Sequence, residues 1–381
     1  MIRKVPYLLL LLLFSLAGCS AKSKVAKTTI QTTLNKSAQW QIENFKYPEN
    51  NSSGYYLHDY GLNAWTNAVF YIGLLDWAKT TENETYLSWL YEIGEKSQWK
   101  VANNFSKSSS YDIYHADELC MGQFYLDMYR RFNEQKMSES SLQRIDSIIK
   151  YPPRESMSIK NKQKWTWCDA LFMASPVYAK AAEINENSQY LDYMHQEFMD
   201  TYNYLYDKEY SLFYRDDSYM GKKEKNGEKV FWGRGNGWVV AGIVQILKEI
   251  PETYEHRPFY ENLLKEMLIS LVKYQSKDGF WHASLLDPDS YPSPETSATS
   301  LITYAIAYAI NNDILPDNKY LKPLGNSWHA LVSVVDTNGK LGFVQPIGAD
   351  PRKVTKEMTA VYGIGAFLMA GTEMYKLSER Y

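Results

Sequence analysis

Apolar residues recur along most of this chain with the 3.6-residue period of a helix, and almost nowhere with the alternation of a strand. Twelve segments carry the pattern: 34–45, 62–80, 84–99, 116–132, 138–150, 169–186, 189–206, 237–250, 258–275, 295–311, 318–335 and 356–370. They alternate in character. Those starting near 62, 116, 169, 237, 295 and 356 are apolar nearly all round and carry small residues such as Gly73, Gly122, Ala174, Gly242, Ala305 and Gly365. Those starting near 34, 84, 138, 189, 258 and 318 have one apolar and one charged face. A helix apolar all round is buried, and an amphipathic one covers it. The alternation predicts an all-α, single-domain (α/α)6 toroid: six antiparallel hairpins, with an inner ring inside an outer ring. No strict sequence repeat accompanies the period, so it belongs to the architecture alone.

If the inner helices run in parallel, their N-termini open at one mouth, with a positive field from each helix dipole. Such a mouth suits an anion. The stretches before the inner helices are rich in chemistry: Gly54–Tyr60, Tyr114-His-Ala-Asp117, Trp165-Thr-Trp-Cys-Asp169, Phe231–Trp238, Tyr291–Ser297 and Gln345–Asp350. Asp117, Asp169 and Glu295 each fit a helix start, where an acid serves as a cap. They fit equally well as carboxylates facing a ligand. In Trp232-Gly-Arg-Gly-Asn-Gly-Trp238 the glycines imply close backbone approach. Arg234, held between them, would be a fixed planar cation suited to a carboxylate.

Composition narrows the ligand. The chain has 381 residues, 45% of them hydrophobic and 22% charged, enough for a sizeable core. Its net charge of −3 and lack of a long basic block argue against nucleic acid. The 32 tyrosines and 11 tryptophans supply flat rings that fill helix interfaces or stack on sugar faces. Cysteines are too few for a disulfide framework, and Cys120 and Cys168 are expected as buried thiols. No CxxC, HExxH or EF-hand pattern occurs, so neither metal nor cofactor is expected.

The N-terminus reads as a targeting segment. Arg3 and Lys4 precede an apolar run, Leu8–Leu16, too short to span a bilayer as a mature helix. Leu16-Ala-Gly-Cys19 resembles the cleavage site of bacterial lipoproteins, which implies a signal peptide over 1–18 and lipidation of Cys19. Residues 19–33 are expected as a flexible tether and 34–381 as the catalytic domain. The expected location is the cell envelope, on the outer membrane facing the periplasm, with the lipid as membrane contact and no obligate protein partner.

Three runs carry a closer resemblance. Trp167-Cys-Asp-Ala-Leu-Phe-Met-Ala174, Trp232-Gly-Arg-Gly-Asn-Gly-Trp238 and Asp117-Glu-Leu-Cys-Met-Gly-Gln123 resemble glycoside hydrolase family 105. These are the unsaturated rhamnogalacturonyl hydrolases, related to the unsaturated glucuronyl hydrolases of family 88. The resemblance extends from about Leu34 to the C-terminus. It implies an (α/α)6 barrel that removes a 4,5-unsaturated glucuronyl or galacturonyl residue from the non-reducing end of lyase-generated oligosaccharides.

By motif, Asp169 matches the general acid/base and Asp117 the second essential acid. Trp167, Trp232, Arg234 and Trp238 match the lining of the uronate subsite, and His115 stands beside them. Typical members carry a histidine where this chain has Arg215, in Phe213-Tyr-Arg-Asp-Asp217. That departure widens the range of candidate substrates. For an acid at Asp169, burial among indoles and the charge of Asp117 are expected to outweigh the helix terminus and raise the pKa. The competing readings are another toroid glycosidase, a sugar epimerase, and a lipid-anchored glycan-binding protein without turnover.

Overall fold

The structure is a computed structural model and describes residues 27–45, 61–101, 113–161 and 163–380. The signal peptide, Cys19 and the Gly54–Tyr60 stretch lie outside the described residues. In chain order the helices are α1 (Lys27–Glu43), α2 (Trp65–Thr81), α3 (Glu84–Lys96), α4 (Ala116–Phe132), α5 (Lys136–Lys150), α6 (Ala170–Met173) and α7 (Ser175–Asn185). They continue as α8 (Gln189–Leu205), α9 (Gly233–Leu247), α10 (Arg257–Lys273), α11 (Thr296–Asn311), α12 (Asp317–Ser333) and α13 (Val361–Arg380). Extended structure is slight: β1 (Tyr206–Asp207) pairs antiparallel with β2 (Leu212–Phe213).

The rings are those the periodicity predicts. The inner ring runs α2, α4, α6–α7, α9, α11, α13, and closes because α13 packs on α2. The amphipathic α3, α5, α8, α10 and α12 pack outside their hairpin partners, while α1 covers α13. Inner helices meet at close range. A Cβ on Gly73 would lie 2.3 Å from the carbonyl oxygen of Gly365, and one on Gly365 2.3 Å from that of Val69. Small residues thus let two backbones touch, so the ring closes around a narrow centre.

Several elements differ from the sequence reading: the last helix runs Val361–Arg380 rather than 356–370, and three other differences have a clear physical reason. The helix begins at Lys27, so 27–33 is not tether: Ile30 and Leu34 are buried, and Leu34 fills the space left by Gly371 of α13. The third inner helix is two helices. Pro176 has no N–H to give Phe172, and the chain breaks at Ala174. Gln123 Nε2 takes over as the donor to Phe172 O, at 2.8 Å. The glycine-rich run before 237 is not a loop but the first turns of α9.

Connections at the two ends differ. At one end α2, α4 and α7 pass to the next helix in a few residues, with Glu82, Asn133 and Glu186 turning through left-handed conformations. A layer of charge is buried there. Lys180 Nζ lies 3.0 Å from Asp127 and 2.6 Å from Glu249, Arg130 reaches Glu249 at 2.7 Å, and Lys248 lies 3.3 Å from Asp76. Burial pushes the Asp76 carboxyl up, but Lys248 with Lys376, Lys79 and Lys180 pulls it further down, to about 2. These cations sit near the C-termini of inner helices, where the helix dipole favours them. The other end carries the long connections, 151–169, 206–232, 274–295 and 334–360, and with them the cavity.

Candidate active site

Eight of the candidate residues, His115, Asp117, Trp167, Asp169, Arg215, Trp232, Arg234 and Trp238, line one cavity of about 310 Å³, while Glu295 does not. They come from the heads of α4, α6 and α9 and from the segment after β2. Trp65, Ile159, Met173, Ile347 and Arg352 complete the wall. Met173 and Ile347 fall in stretches the sequence marks, Trp167–Ala174 and Gln345–Asp350, without being singled out there, and Trp65, Ile159 and Arg352 fall in none. Trp65 and Met173 hide in apolar runs, and the others stand in irregular segments without a period.

Asp169 occupies the cap position of α6, with only 8% of its surface exposed, yet its carboxylate caps no helical N–H. Glu295 is the opposite case. Its carboxylate accepts from Ser297 N at 3.1 Å, Ala298 N at 2.7 Å and Gln345 N at 3.1 Å, and it is wholly buried. Of two acids with the same sequence signature, Glu295 is a cap and Asp169 is not. Burial pushes the Asp169 carboxyl upward, Arg215 pulls it down, Asp117 pushes it up and Arg234 pulls it down; the balance lies above the ordinary range. That is the direction the sequence anticipates.

The cavity wall is built by cross-bracing. Cys168 N donates to Arg215 O at 2.8 Å, and Trp167 bridges to Asp216, so the segment bearing Asp169 is paired with the segment bearing Arg215. Gly235 permits this. A Cβ there would lie 3.0 Å from Cys168 Sγ and 2.9 Å from the Trp232 ring. Asn236 ties the same strand to α9 by accepting from Phe213 N at 2.8 Å and donating to Phe213 O at 3.0 Å. Asn236→Ala would leave both backbone groups of Phe213 buried and unpaired. It is expected to cost about 2 kcal/mol in urea unfolding and to raise KM by loosening Arg215.

Arg234 is 1% exposed and lies over the rings of Trp232 at 4.5 Å and Tyr362 at 5.2 Å. Its guanidinium is fixed, as the flanking glycines imply, but mostly engaged. Nη1 donates to Gln345 O at 2.8 Å and to Tyr362 Oη at 2.7 Å, and Nη2 to Pro346 O at 3.0 Å. Trp232 Nε1 donates to Gln345 Oε1 at 3.3 Å, and Gln345 Nε2 to Asp350 O at 2.8 Å. Gln345, which opens the Gln345–Asp350 stretch ahead of the last inner helix, therefore organises one side of the cavity. Trp167 lies against the His115 ring at 5.1 Å with the planes tilted by 43°, and Trp238 packs against Phe172 at 4.7 Å and Trp65 at 6.2 Å. The outcome is an aromatic slot with two acids and a cation at its floor. It fits a flat sugar ring carrying a carboxylate.

Comparison with known proteins points the same way. A model described as Glycosyl Hydrolase Family 88 matches residues 21–378. The chain is 36% identical over 330 residues to a Formosa agariphila protein named unsaturated 3S-rhamnoglycuronyl hydrolase, covering 83% of this chain and 85% of that one. It is 32% identical over 362 residues to a protein of the same name from Alteromonas sp., covering 91% and 86%. Among solved structures, a glycosyl hydrolase family 88 protein from Bacteroides vulgatus is similar with a TM-score of 0.82 at 29% identity, over 92% of this chain and 99% of that one.

Proposed function

The chain belongs to glycosyl hydrolase family 88 and is a glycoside hydrolase that removes an unsaturated uronic acid from oligosaccharides; from that premise we propose that Asp169 is the acid, then base, that hydrates the sugar double bond. The substrate's C4=C5 bond is conjugated to the C6 carboxylate and joined to the ring oxygen, so it is an enol ether. Asp169 donates its proton to C4. The cation this leaves at C5 is shared with the ring oxygen. Asp169, now a carboxylate, takes a proton from water as the water oxygen bonds to C5. The hemiketal opens by breaking the bond between C5 and the ring oxygen. C1 becomes a hemiacetal and releases the next sugar as an alcohol. One water is consumed, and no bond at C1 is attacked directly.

One observation carries this reading: a buried carboxylate at a helix head that caps nothing and faces the cavity. Asp117 supports it by pushing the Asp169 proton affinity upward. Trp167, Trp232 and Trp238 shape the slot, with His115 against Trp167. The names of the two relatives support an unsaturated uronate joined to rhamnose as the bond cut here. The reading extends to location: Cys19 as a lipidated residue, holding the enzyme at the outer membrane on its periplasmic side.

The test follows ultraviolet absorbance of the conjugated double bond in lyase-generated oligosaccharides. Loss of absorbance with release of a shortened saccharide is expected, fastest on rhamnose-linked fragments. Unchanged absorbance across pectic, arabinogalactan and glycosaminoglycan fragments would overturn the reading.

A further inference from the structure

Among the described residues three guanidinium groups line the cavity, and the geometry separates them. Arg234 has given most of its donors to Gln345, Pro346 and Tyr362. Arg352 lies at the lip, with its side chain 55% exposed and bonded to Asp350 at 2.9 Å. Arg215 is the one beside the acid. Its Nε stands 3.5 Å from Asp169 Oδ2, close enough for charge to act but too far for a hydrogen bond. That Nε is buried and has no hydrogen-bond acceptor. The far side of the group is anchored, Nη1 on Asp216 Oδ2 at 2.6 Å, while Asp216 Oδ1 is held by Ser218 N at 2.8 Å. Arg215 is thus fixed at one edge and unsatisfied at the other.

Substrate chemistry dictates what arrives there. C4, which receives the proton, and the carboxylate carbon are both bonded to C5. Any group placed to protonate C4 therefore has the substrate's carboxylate close by. We propose that Arg215 is a counter-ion shared in turn by Asp169 and the substrate: it pairs with Asp169 in the empty cavity, and on binding it turns its Nε edge to the uronate, so that Asp169 takes up from solvent the proton it will deliver. This rests on Asp169 being the acid. The proton goes to C4, and Asp169 recovers one from the attacking water. It loses that proton to solvent when product leaves and Arg215 returns.

The charged and titratable groups around Asp169 agree with this. Asp117 faces it from α4, with His115 at the head of that helix; Arg234 faces it from α9; Arg215 faces it from the segment after β2, with Asp216 bonded to the far edge of that guanidinium; and Cys168 adjoins it. Arg215 is the strongest influence pulling the Asp169 carboxyl down. A ligand that occupies Arg215 removes that pull and adds a negative charge of its own, and both changes favour protonation.

The experiment compares the pH dependence of kcat/KM, which reports the free enzyme, with that of kcat, which reports the complex. Wild type, Arg215→Gln and Arg215→Lys are assayed by absorbance on lyase-generated oligosaccharides. In wild type the alkaline limb of kcat is expected about one pH unit or more above that of kcat/KM. In Arg215→Gln the kcat/KM limb moves up toward the kcat limb, at least halving the separation, and KM rises about tenfold. Arg215→Lys keeps most of the separation. Coincident limbs in wild type, or an unchanged separation in a folded Arg215→Gln, would overturn the inference. If Asp169→Asn is inactive while Arg215→Gln keeps the separation, only the counter-ion role falls. An active Asp169→Asn removes the acid role itself.

Discussion

Asp169→Asn is expected to lower kcat by about a thousandfold or more while the protein becomes more stable at neutral pH. The two effects share one cause. Burial and Asp117 hold the Asp169 carboxyl above its ordinary range, and Arg215 and Arg234 do not fully offset them. The native state therefore binds this proton more tightly than the unfolded chain does. Below the ordinary carboxylate range both states are protonated and the group is neutral in its effect on folding. As pH rises through the window between the ordinary and the raised value, only the unfolded chain ionises freely, and native stability falls. Asparagine cannot ionise, so it removes that penalty and keeps nearly the same shape. Thermal melts of both proteins between pH 4 and 8 should show the variant's advantage growing with pH and vanishing at the acid end. A variant with full turnover would reduce Asp169 to a structural residue, and one that melts early at every pH would make the loss of activity uninformative.

The second large effect is structural. In Gly365→Ala, the new methyl would lie 2.3 Å from Val69 O and 2.5 Å from Val69 C, both backbone atoms of the facing helix. Neither can swing aside as a side chain would, so α2 and α13 must separate where the inner ring closes. The expected loss is about 3 kcal/mol, at the upper end for overpacking, read as a fall in the urea midpoint. Gly325→Ala is the matched control. It stands in α12 with nothing within 4 Å of the added carbon. Alanine's helix preference should stabilise it there by up to about 1 kcal/mol. If both changes gave the same result, the close approach of α2 and α13 would not be what the glycines serve.

The ring architecture was legible because burial leaves a direct imprint on periodicity. A helix enclosed on all sides has no polar stripe, and a covering helix has one. What the sequence hid was local. Ser, Thr and Lys around 27–33 look like tether, but α1 needs only Ile30 and Leu34 to seat it on α13. Glycines 233, 235 and 237 look like a turn because glycine's flexibility is its usual use. The close backbone approach they imply is present, but inside the first turns of α9 rather than ahead of that helix. The cap ambiguity between Asp169 and Glu295 could be resolved only by seeing which carboxylate the backbone N–H groups reach. Gln345 opens one of the stretches marked before the inner helices and Tyr362 lies in none, and with no charge neither announces that it sets the plane of Arg234.

The buried charges at the far end bear on how a polymer is consumed. Lys180, Asp127, Glu249 and Lys248 fill the bottom of the ring, and the inner helices touch above them. Among the described residues that end of the ring is filled with side chains, so a saccharide is expected to enter the cavity from the opposite end, tip first. Interior linkages never reach Asp169. Entry in that direction is expected to leave the cut tip beneath the chain it came from, so that the longer fragment backs out before the freed sugar follows. Each event then ends in complete departure. One terminal residue per visit is therefore the expected pattern, with throughput expected to follow the number of ends the upstream lyase creates.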